Sequence, residues 1–453
     1  MSTASPLKRT EIIDALRNGA VPRHGLELFA VGLEPFAQTL DEELDAVAAG
    51  RGKFKAVRGD YGTGKTFFAS WLEHKARQRG LASAMVQVSE TDTPLYRMET
   101  VYRRAIESLQ TKEWSSGAFR TLIDRWFYNL EEEVLGEAGV DPNNADKVGH
   151  AVGDLLERRL ASVSATQPQF AAALRRCHTA RVKGEHAIAE GLVAWLMGQP
   201  NVSADIKRAA GLKGDVDHDG AAGFLRGLLE LLKQTGRSGL VLVLDEVETI
   251  QRVRADSREK SLNALRQLID DLAAGRFPGL YVLITGTPQF FDGTQGVQRL
   301  PPLAQRLQTE FGKLAKFDNP RAIQIRLQPF SHEKLVEVGR RIRDLFPTKN
   351  ADRIAKHVDD ELLETLARGV AGKLGGKVGT APRLFLKRLV GLLDQVELHA
   401  EFDPRVHYEL VVSANEMTDE ERDAAGVVRS VADIQLDISM PANGKAGGTS
   451  EIE

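Results

Sequence analysis

The stretch GDYGTGKT, residues 59–66, restricts the folds open to this chain more than any other part of the sequence. Before it, KFKAVR alternates polar and apolar residues as a short strand does; after it, FFASWLEHKARQRG has helical spacing and stops at Gly80. A strand, a glycine turn and a helix in this order are the context of a phosphate-binding loop. Glycines let backbone N–H groups surround an anion, and the helix N-terminus adds unpaired donors. The sequence therefore predicts an α/β fold that binds a nucleotide.

Two side chains of this loop have specific expected roles. Lys65 would reach the β- and γ-phosphates, and the Thr66 hydroxyl would hold Mg²⁺. The nucleotide-binding residues that we expect in the loop are Gly59, Asp60, Tyr61, Gly62, Thr63, Gly64, Lys65, Thr66 and Phe67.

A second stretch, GLVLVLDEVETI (residues 239–250), supplies the acids that such a site requires. The unbroken apolar run 240–244 predicts a central parallel strand that is buried on both faces. Asp245 and Glu246 follow at its carboxyl end, where open α/β sheets bind ligands. We expect Asp245 to hold the metal through water and Glu246 to act as general base on the attacking water. A strand followed by two solvated acids is the alternative.

A third predicted strand, LYVLITG (residues 280–286), ends in polar residues. If its carboxyl end lies between the phosphate loop and the acidic strand, it faces the γ-phosphate. Thr285 or Thr287 would then sense that phosphate or orient the attacking water. Ordinary turn chemistry is the alternative for both threonines.

Composition excludes several other classes of protein. The chain has 453 residues, of which 42% are hydrophobic and 27% charged, an ordinary globular mixture that is long enough for two or three structural units. A single cysteine, Cys177, excludes an internal disulfide and a multi-cysteine metal site. The N-terminal residues lack the apolar core of a signal peptide, and no apolar run reaches about 18 residues. We therefore expect a cytoplasmic protein without a membrane span.

The net charge of −3 is unevenly distributed. Residues 409–453 carry ten acids and three bases, so this part has a net charge of −7 and the rest of the chain +4. That segment is also rich in Gly, Ser and Ala, which predicts an acidic, disordered tail. Residues 368–388 hold six basic residues and no acid, which allows contact with a DNA backbone; a solvated loop is the alternative.

Both nucleotide motifs and the order of the predicted strands are similar to AAA+ ATPases of the initiator-like branch. The resemblance to the ATP-binding proteins of BREX bacteriophage-exclusion systems, of the BrxD type, is closer and runs over about residues 8–408. The stretches that carry it are EIIDALRNGAVPRHGLELFAVG, GDYGTGKT, LDEVETIQR, LRQLIDDL, GTPQFFDG, PLAQRL and FDPRVHY.

This resemblance implies an AAA+ type P-loop core with a parallel five-stranded sheet in the order 5-1-4-3-2. A large helical insertion is expected at about residues 94–235. The expected units are an N-terminal helical segment (1–45), the core (46–328), a small helical lid (329–408) and the tail (409–453). Initiator-type proteins usually carry a winged-helix domain after the lid, and we expect a dedicated DNA-binding domain to be absent or reduced here.

Further site residues are implied by the resemblance. Arg383, at the head of a predicted lid helix, would reach back to the nucleotide as a sensor. An arginine finger that completes a neighbour's site is expected within residues 298–311, with Arg306 first and Arg299 second. Val21 and Pro22 would line the adenine base. The alternatives are surface or salt-bridged arginines and simple core packing of the N-terminal segment.

The function implied is that of an ATP-hydrolysing component of a phage-defence system, with other defence proteins as partners. Turnover would drive conformational change in a partner or DNA complex. A nucleotide-gated scaffold without useful turnover and an initiator-like DNA-remodelling or loading ATPase are the alternatives. Self-association into a homo-oligomer is left open by the sequence.

Overall fold

The computed structural model of the protein describes residues 4–136, 145–373 and 382–408, and the statements below concern these ranges. At the centre lies a sheet whose four strand pairings are all parallel. Its strands are β1 (Lys53–Arg58), β2 (Ala82–Gln87), β3 (Leu240–Asp245), β4 (Leu280–Gly286) and β5 (Gln324–Arg326). The order across the sheet is β2-β3-β4-β1-β5, which is the expected 5-1-4-3-2 when read from the other edge.

Eleven helices of the described ranges precede β4 in the chain. Three of them flank β1: α1 (Pro6–Arg17), α2 (Glu34–Ala48) and α3 (Lys65–Gln78). Seven inserted helices lie between β2 and β3 in sequence: α4 (Met98–Glu107), α5 (Ala118–Gly136), α6 (Ala145–Thr166), α7 (Pro168–Val182), α8 (His186–Leu196), α9 (Ala204–Ala209) and α10 (His218–Gln234). The eleventh, α11 (Ala255–Ala273), follows β3.

The remaining helices follow β4. Two short ones, α12 (Pro288–Asp292) and α13 (Pro301–Leu307), come before β5. Five C-terminal helices come after it: α14 (His332–Leu345), α15 (Ala351–His357), α16 (Asp360–Lys373), α17 (Pro382–Leu398) and α18 (Pro404–His407).

The two faces of the sheet carry separate hydrophobic cores. Successive residues of a strand point to opposite faces, so an unbroken apolar run buries both. In β3, Leu240, Leu242 and Leu244 join the inserted helices in one core. Val241 and Val243 join the N-terminal and C-terminal helices in the other. The inserted helices therefore cover one face of the sheet, and α1–α3 with α14–α17 cover the opposite one.

The N-terminal segment is divided between two neighbours. Helix α1 packs against α17 and α14, whereas α2 packs against α3 and β4. Arg17 fixes the first of these contacts through a salt bridge of 2.7 Å to Asp394 on α17. The chain between α1 and α2 therefore joins the C-terminal helices to the sheet.

Two expectations fall partly or wholly outside the described residues. The acidic tail 409–453 lies outside them, and so do residues 374–381 of the basic segment 368–388. In the described part of that segment, Arg368 pairs with Glu364 at 2.9 Å. Within the described ranges, each helix is too short or too polar to cross a lipid bilayer.

Candidate functional site

A cavity of about 580 Å³ opens where the phosphate loop meets the carboxyl end of β3. Its wall is formed by the loop residues 61–67, by residues 19–22 and 29–36 of the N-terminal segment, and by Glu246 and Glu248. Residues 326–338, together with Arg383 and Leu386 of α17, close the remaining side. The cavity therefore draws its wall from the sheet, the N-terminal segment and the C-terminal helices.

The phosphate loop has the backbone geometry that its glycines predict. Gly62 and Gly64 have φ values of 77° and 87°, which a residue with a Cβ adopts only with strain. A Cβ at Gly59 would collide with the Thr63 hydroxyl, which donates to the Asp60 carbonyl at 2.8 Å. Gly64 precedes α3 and offers no side-chain cap, so the first N–H groups of that helix remain free to bind an anion.

Lys65 lies in the wall of the cavity and is only 8% exposed. Its Nζ donates to the carbonyls of Gly59, at 3.0 Å, and Asp60, at 3.3 Å. The ammonium also lies 5.0 Å from the centre of the Tyr61 ring. These contacts keep its positive charge at the loop.

The predicted metal-binding residues and one predicted sensor meet at Asp245. The Thr66 hydroxyl donates to one carboxylate oxygen of Asp245 at 2.8 Å. The Thr285 hydroxyl donates to the other carboxylate oxygen. Asp245 is 4% exposed, so both of its oxygens have a partner in a nearly dry environment.

Glu246 has an unusual backbone conformation at the edge of the cavity. Its φ of 59° and ψ of 44° are left-handed, a conformation that costs a non-glycine residue about 1–3 kcal/mol. Two contacts hold it there. Its N–H donates to the Thr285 hydroxyl at 3.1 Å, and Gln87 Nε2 donates to its carboxylate at 2.8 Å. Such strain is concentrated at functional sites, and here it aims an acid along the cavity wall.

One acid of this site is not predicted from the sequence. Glu248 lines the cavity, is 4% exposed and lies 3.9 Å from the Lys65 ammonium. Neither of its carboxylate oxygens has a hydrogen-bond partner among the described residues. Burial raises the pKa of Glu248 to about 7, and the charge of Lys65 opposes that rise. The third acid of DEVE, residues 245–248, was the available signal.

The opposite part of the cavity is apolar. Val21 and Pro22 both line it, as expected, and Val21 is 37% exposed. Phe29 and Phe36, which the sequence analysis did not select, lie on the same wall. The rings of Phe29 and Phe67 are in contact, with centroids 5.3 Å apart. This region has the apolar, aromatic character that suits a planar base.

Cationic side chains from the second half of the chain complete the wall. Arg383, the expected sensor, lines the cavity at the start of α17. Three further basic residues that the sequence analysis did not select also line it: Lys316, Arg326 and Lys334. Arg326 pairs with Asp318 at 2.9 Å. The cavity is therefore suited to a ligand with several negative charges.

Three predicted residues lie outside both the cavity wall and the hydrogen-bond network around Lys65 and Asp245. Thr287 is buried at the start of α12. Arg306 forms a salt bridge with Asp270 of α11 and donates to the Pro302 carbonyl at 2.8 Å. Arg299 is exposed and forms no ion pair within the described ranges. Neither arginine reaches the site of its own chain.

The comparisons with known proteins agree with this geometry. The chain matches the model of one protein family, described as BREX system ATP-binding protein BrxC/D, over residues 4–412. Comparison with curated proteins finds no match. Because the family match spans most of the chain and includes both the phosphate loop and the acids of β3, the protein belongs to the BREX system ATP-binding protein BrxC/D family.

Proposed function

We propose that this protein is an AAA+ type ATPase that hydrolyses ATP as a component of a BREX phage-defence system. The observation that carries the proposal is the run of hydrogen bonds from Thr66 to Asp245, from Thr285 to Asp245 and from Glu246 N–H to Thr285. This network links the phosphate loop to a strained acid on the wall of one cavity. Phosphoryl transfer requires such a juxtaposition.

The residues present fit ATP and Mg²⁺. A cavity of about 580 Å³ with one apolar and one cationic region lies in the size range of nucleotide-sized ligands. The Thr66 hydroxyl and the Asp245 carboxylate are hard oxygen donors, which Mg²⁺ prefers, and they lie 2.8 Å apart. These two residues would hold the ion, which would neutralise charge on the phosphates.

Within the protein, each polar residue then has one task. The N–H groups at the start of α3 and the Lys65 ammonium bind phosphate oxygens. Glu246 accepts a proton from the attacking water. Gln87 and Thr285 hold Glu246 in position through hydrogen bonds. Val21 and Pro22 shield the base from water.

The cavity wall combines residues of the N-terminal segment, the sheet and α17, which supports a coupling of ATP turnover to movement of these parts. Leu16 of α1, residues 19–22 directly after that helix and Arg383 of α17 line the same cavity, and α1 packs against α17. A nucleotide in the cavity would contact both helices and the sheet, so its hydrolysis would alter their relative position. We propose that partner proteins of the defence system, or further copies of this chain, respond to this movement.

The test is a comparison of binding and turnover in Glu246→Gln. We expect ATP affinity to change less than threefold while turnover falls by about 10²–10⁴, the contribution of a general base. Glu401→Gln, which removes the same charge from an exposed position, is the control and should keep full turnover. Full turnover in Glu246→Gln would reject the proposed catalytic role. Binding without turnover in the unchanged protein would indicate a nucleotide-gated scaffold.

A further inference from the structure

Residues 245–248 contain three acids, and Glu248 is the acid that has no role in the proposed mechanism. Its carboxylate is buried in the cavity wall, and neither oxygen has a hydrogen-bond partner among the described residues. A buried carboxylate without a partner is costly to the fold. Such a group in a native structure requires a reason for its position.

The backbone fixes Glu248 firmly in this place. Directly after the left-handed Glu246 the chain forms a 3₁₀ helix over Val247–Gln251. Val247 is fully buried, and the Thr249 hydroxyl donates to the carbonyls of Glu246 and Val88, at 3.0 and 3.2 Å. Because both neighbours are held, the backbone at Glu248 cannot turn away from the cavity without breaking these contacts.

The nearest opposite charge to Glu248 is the Lys65 ammonium, 3.9 Å away. Lys65 already donates to two carbonyls of the phosphate loop, so these carbonyls and the carboxylate share one ammonium. At this distance the two charges attract without a hydrogen bond, and in a buried environment that attraction is strong.

We propose, on the basis of the proposed ATPase function, that Glu248 is a positioning residue that acts through Lys65 and limits how tightly the site binds nucleotide. Its carboxylate holds the ammonium at the cavity wall. Phosphate oxygens that take Lys65 must compete with Glu248 and must approach its negative charge. Glu248 thus weakens the binding of ATP and ADP alike and prevents the product from remaining bound.

The first experiment measures equilibrium binding of ADP and of a non-hydrolysable ATP analogue, together with steady-state turnover. Glu248→Gln keeps the shape and removes the charge, so both nucleotides should bind about five- to tenfold more tightly, with a lower KM. Glu248→Asp keeps the charge and should stay within twofold of the unchanged protein. Glu333→Gln removes an equal charge from an exposed position and serves as the control. Unchanged or weaker binding in Glu248→Gln would overturn the proposal.

A second experiment asks whether Glu248 acts through Lys65. Lys65→Met leaves the carboxylate without its counter-charge, so the midpoint of thermal unfolding should fall. Adding Glu248→Gln to Lys65→Met should recover most of that loss, whereas Glu333→Gln should recover none. Additive effects in this double-mutant cycle would show that the two residues are independent and would reject the proposal.

These outcomes separate the inference from the function on which it rests. If the unchanged protein neither binds nor hydrolyses ATP, the proposed function fails and this role for Glu248 fails with it. If the unchanged protein hydrolyses ATP but Glu248→Gln binds both nucleotides as before, only the role of Glu248 is rejected.

Discussion

Two lysine–glutamate pairs, whose lysines are ten residues apart in the sequence, differ in how well their charged groups are paired. Lys55 on β1 is 1% exposed, lies 2.7 Å from Glu43 and donates to the Pro320 carbonyl at 2.8 Å. Glu43 also accepts from the Tyr281 hydroxyl at 2.7 Å. In the second pair, the carboxylate of Glu248 lies 3.9 Å from Lys65 and accepts no hydrogen bond from the described residues.

The difference separates a pair that is satisfied within the protein from a pair that faces the cavity. Lys55 and Glu43 have protein partners on every side, so they join α2, β1 and β4 and need no ligand. Lys65 and Glu248 face a cavity and keep charge available to whatever enters it. The residue types are the same in both pairs, and the distance between the charged groups and their hydrogen bonds distinguish the two.

The largest effect that we expect is the loss of turnover when Lys65 is replaced. Lys65→Ala removes the charge that faces the phosphates, so turnover should fall by on the order of 10²–10³. Steady-state ATPase assays and titration with a fluorescent nucleotide measure this. The control is Lys75→Ala in the same helix, which removes an ion pair of 2.8 Å with Asp41 and a cation–π contact with Trp71, both away from the cavity. Equal affinity and rate in both variants would contradict the assignment of the phosphate loop.

Replacing Lys55 should lower the free energy of unfolding, not the rate of ATP turnover. Lys55→Met leaves Glu43 buried without its cation, and breaking a buried pair in this way costs about 3–5 kcal/mol of unfolding free energy. Denaturant titration measures the loss. Replacing both partners, with Glu43→Gln added, should recover part of it because the Tyr281 hydroxyl keeps an acceptor. A larger loss in the double variant would show that the pair is not the stabilising unit.

Glu248 should make the stability of the folded protein depend on pH, and the direction of its pKa shift fixes the sign. Its pKa rises from 4.5 to about 7 on folding, so the folded protein holds a proton that the unfolded chain has lost between these pH values. Stability therefore falls as pH rises through this window and is then constant. The groups that face Glu248 are Lys65, which opposes the rise in pKa, and Glu246 and Asp245, which add to it.

Glu248→Gln removes this dependence. At pH 8 the variant should be more stable than the unchanged protein by up to about 3 kcal/mol, and below pH 4.5 the two should be equal. Glu73, whose pKa burial also raises to about 7, is present in both proteins and cancels in the difference. A difference in stability that did not vary with pH would contradict the burial of an ionisable Glu248.

Part of the site could be predicted from the sequence, and the contacts of the two lysine–glutamate pairs could not. The phosphate loop, Asp245 and Glu246 depend on local patterns, namely glycine spacing and an apolar run that ends in acids, and both patterns are visible in the sequence. The expected sheet order placed β4 beside β3, which is why Thr285 was selected and why it meets Asp245.

Residues that depend on exact register or on a single backbone angle were missed. Gln87 reaches Glu246 because β2 pairs with β3 so that Gln87 lies opposite Asp245, and no local pattern gives that register. Glu248 reaches Lys65 in a 3₁₀ helix that begins directly after the left-handed Glu246, and no local sequence pattern predicts such an angle for glutamate. Lys55 looked like an ordinary polar position of an alternating strand, yet its partner lies on α2.

The smallest effect that we predict concerns Glu246, whose carboxylate accepts one side-chain hydrogen bond from the described residues. One of its oxygens accepts from Gln87 Nε2 at 2.8 Å. Gln87→Leu should lower turnover about tenfold, because an acid that is less well oriented loses part of its contribution as base. KM should stay within twofold, since Gln87 holds Glu246 from outside the cavity wall.

Gln38→Leu is the matched control for this variant. Gln38 donates to Glu42 at 3.1 Å, so the substitution removes the same kind of hydrogen bond from an exposed helix, and turnover should not change. Gln87→Asn shortens the donor by one methylene and should fall between Gln87→Leu and the unchanged protein. If Gln87→Leu raised KM and left kcat unchanged, Gln87 would act on nucleotide binding, and the orientation of Glu246 would have to come from its backbone angle and Thr285 alone.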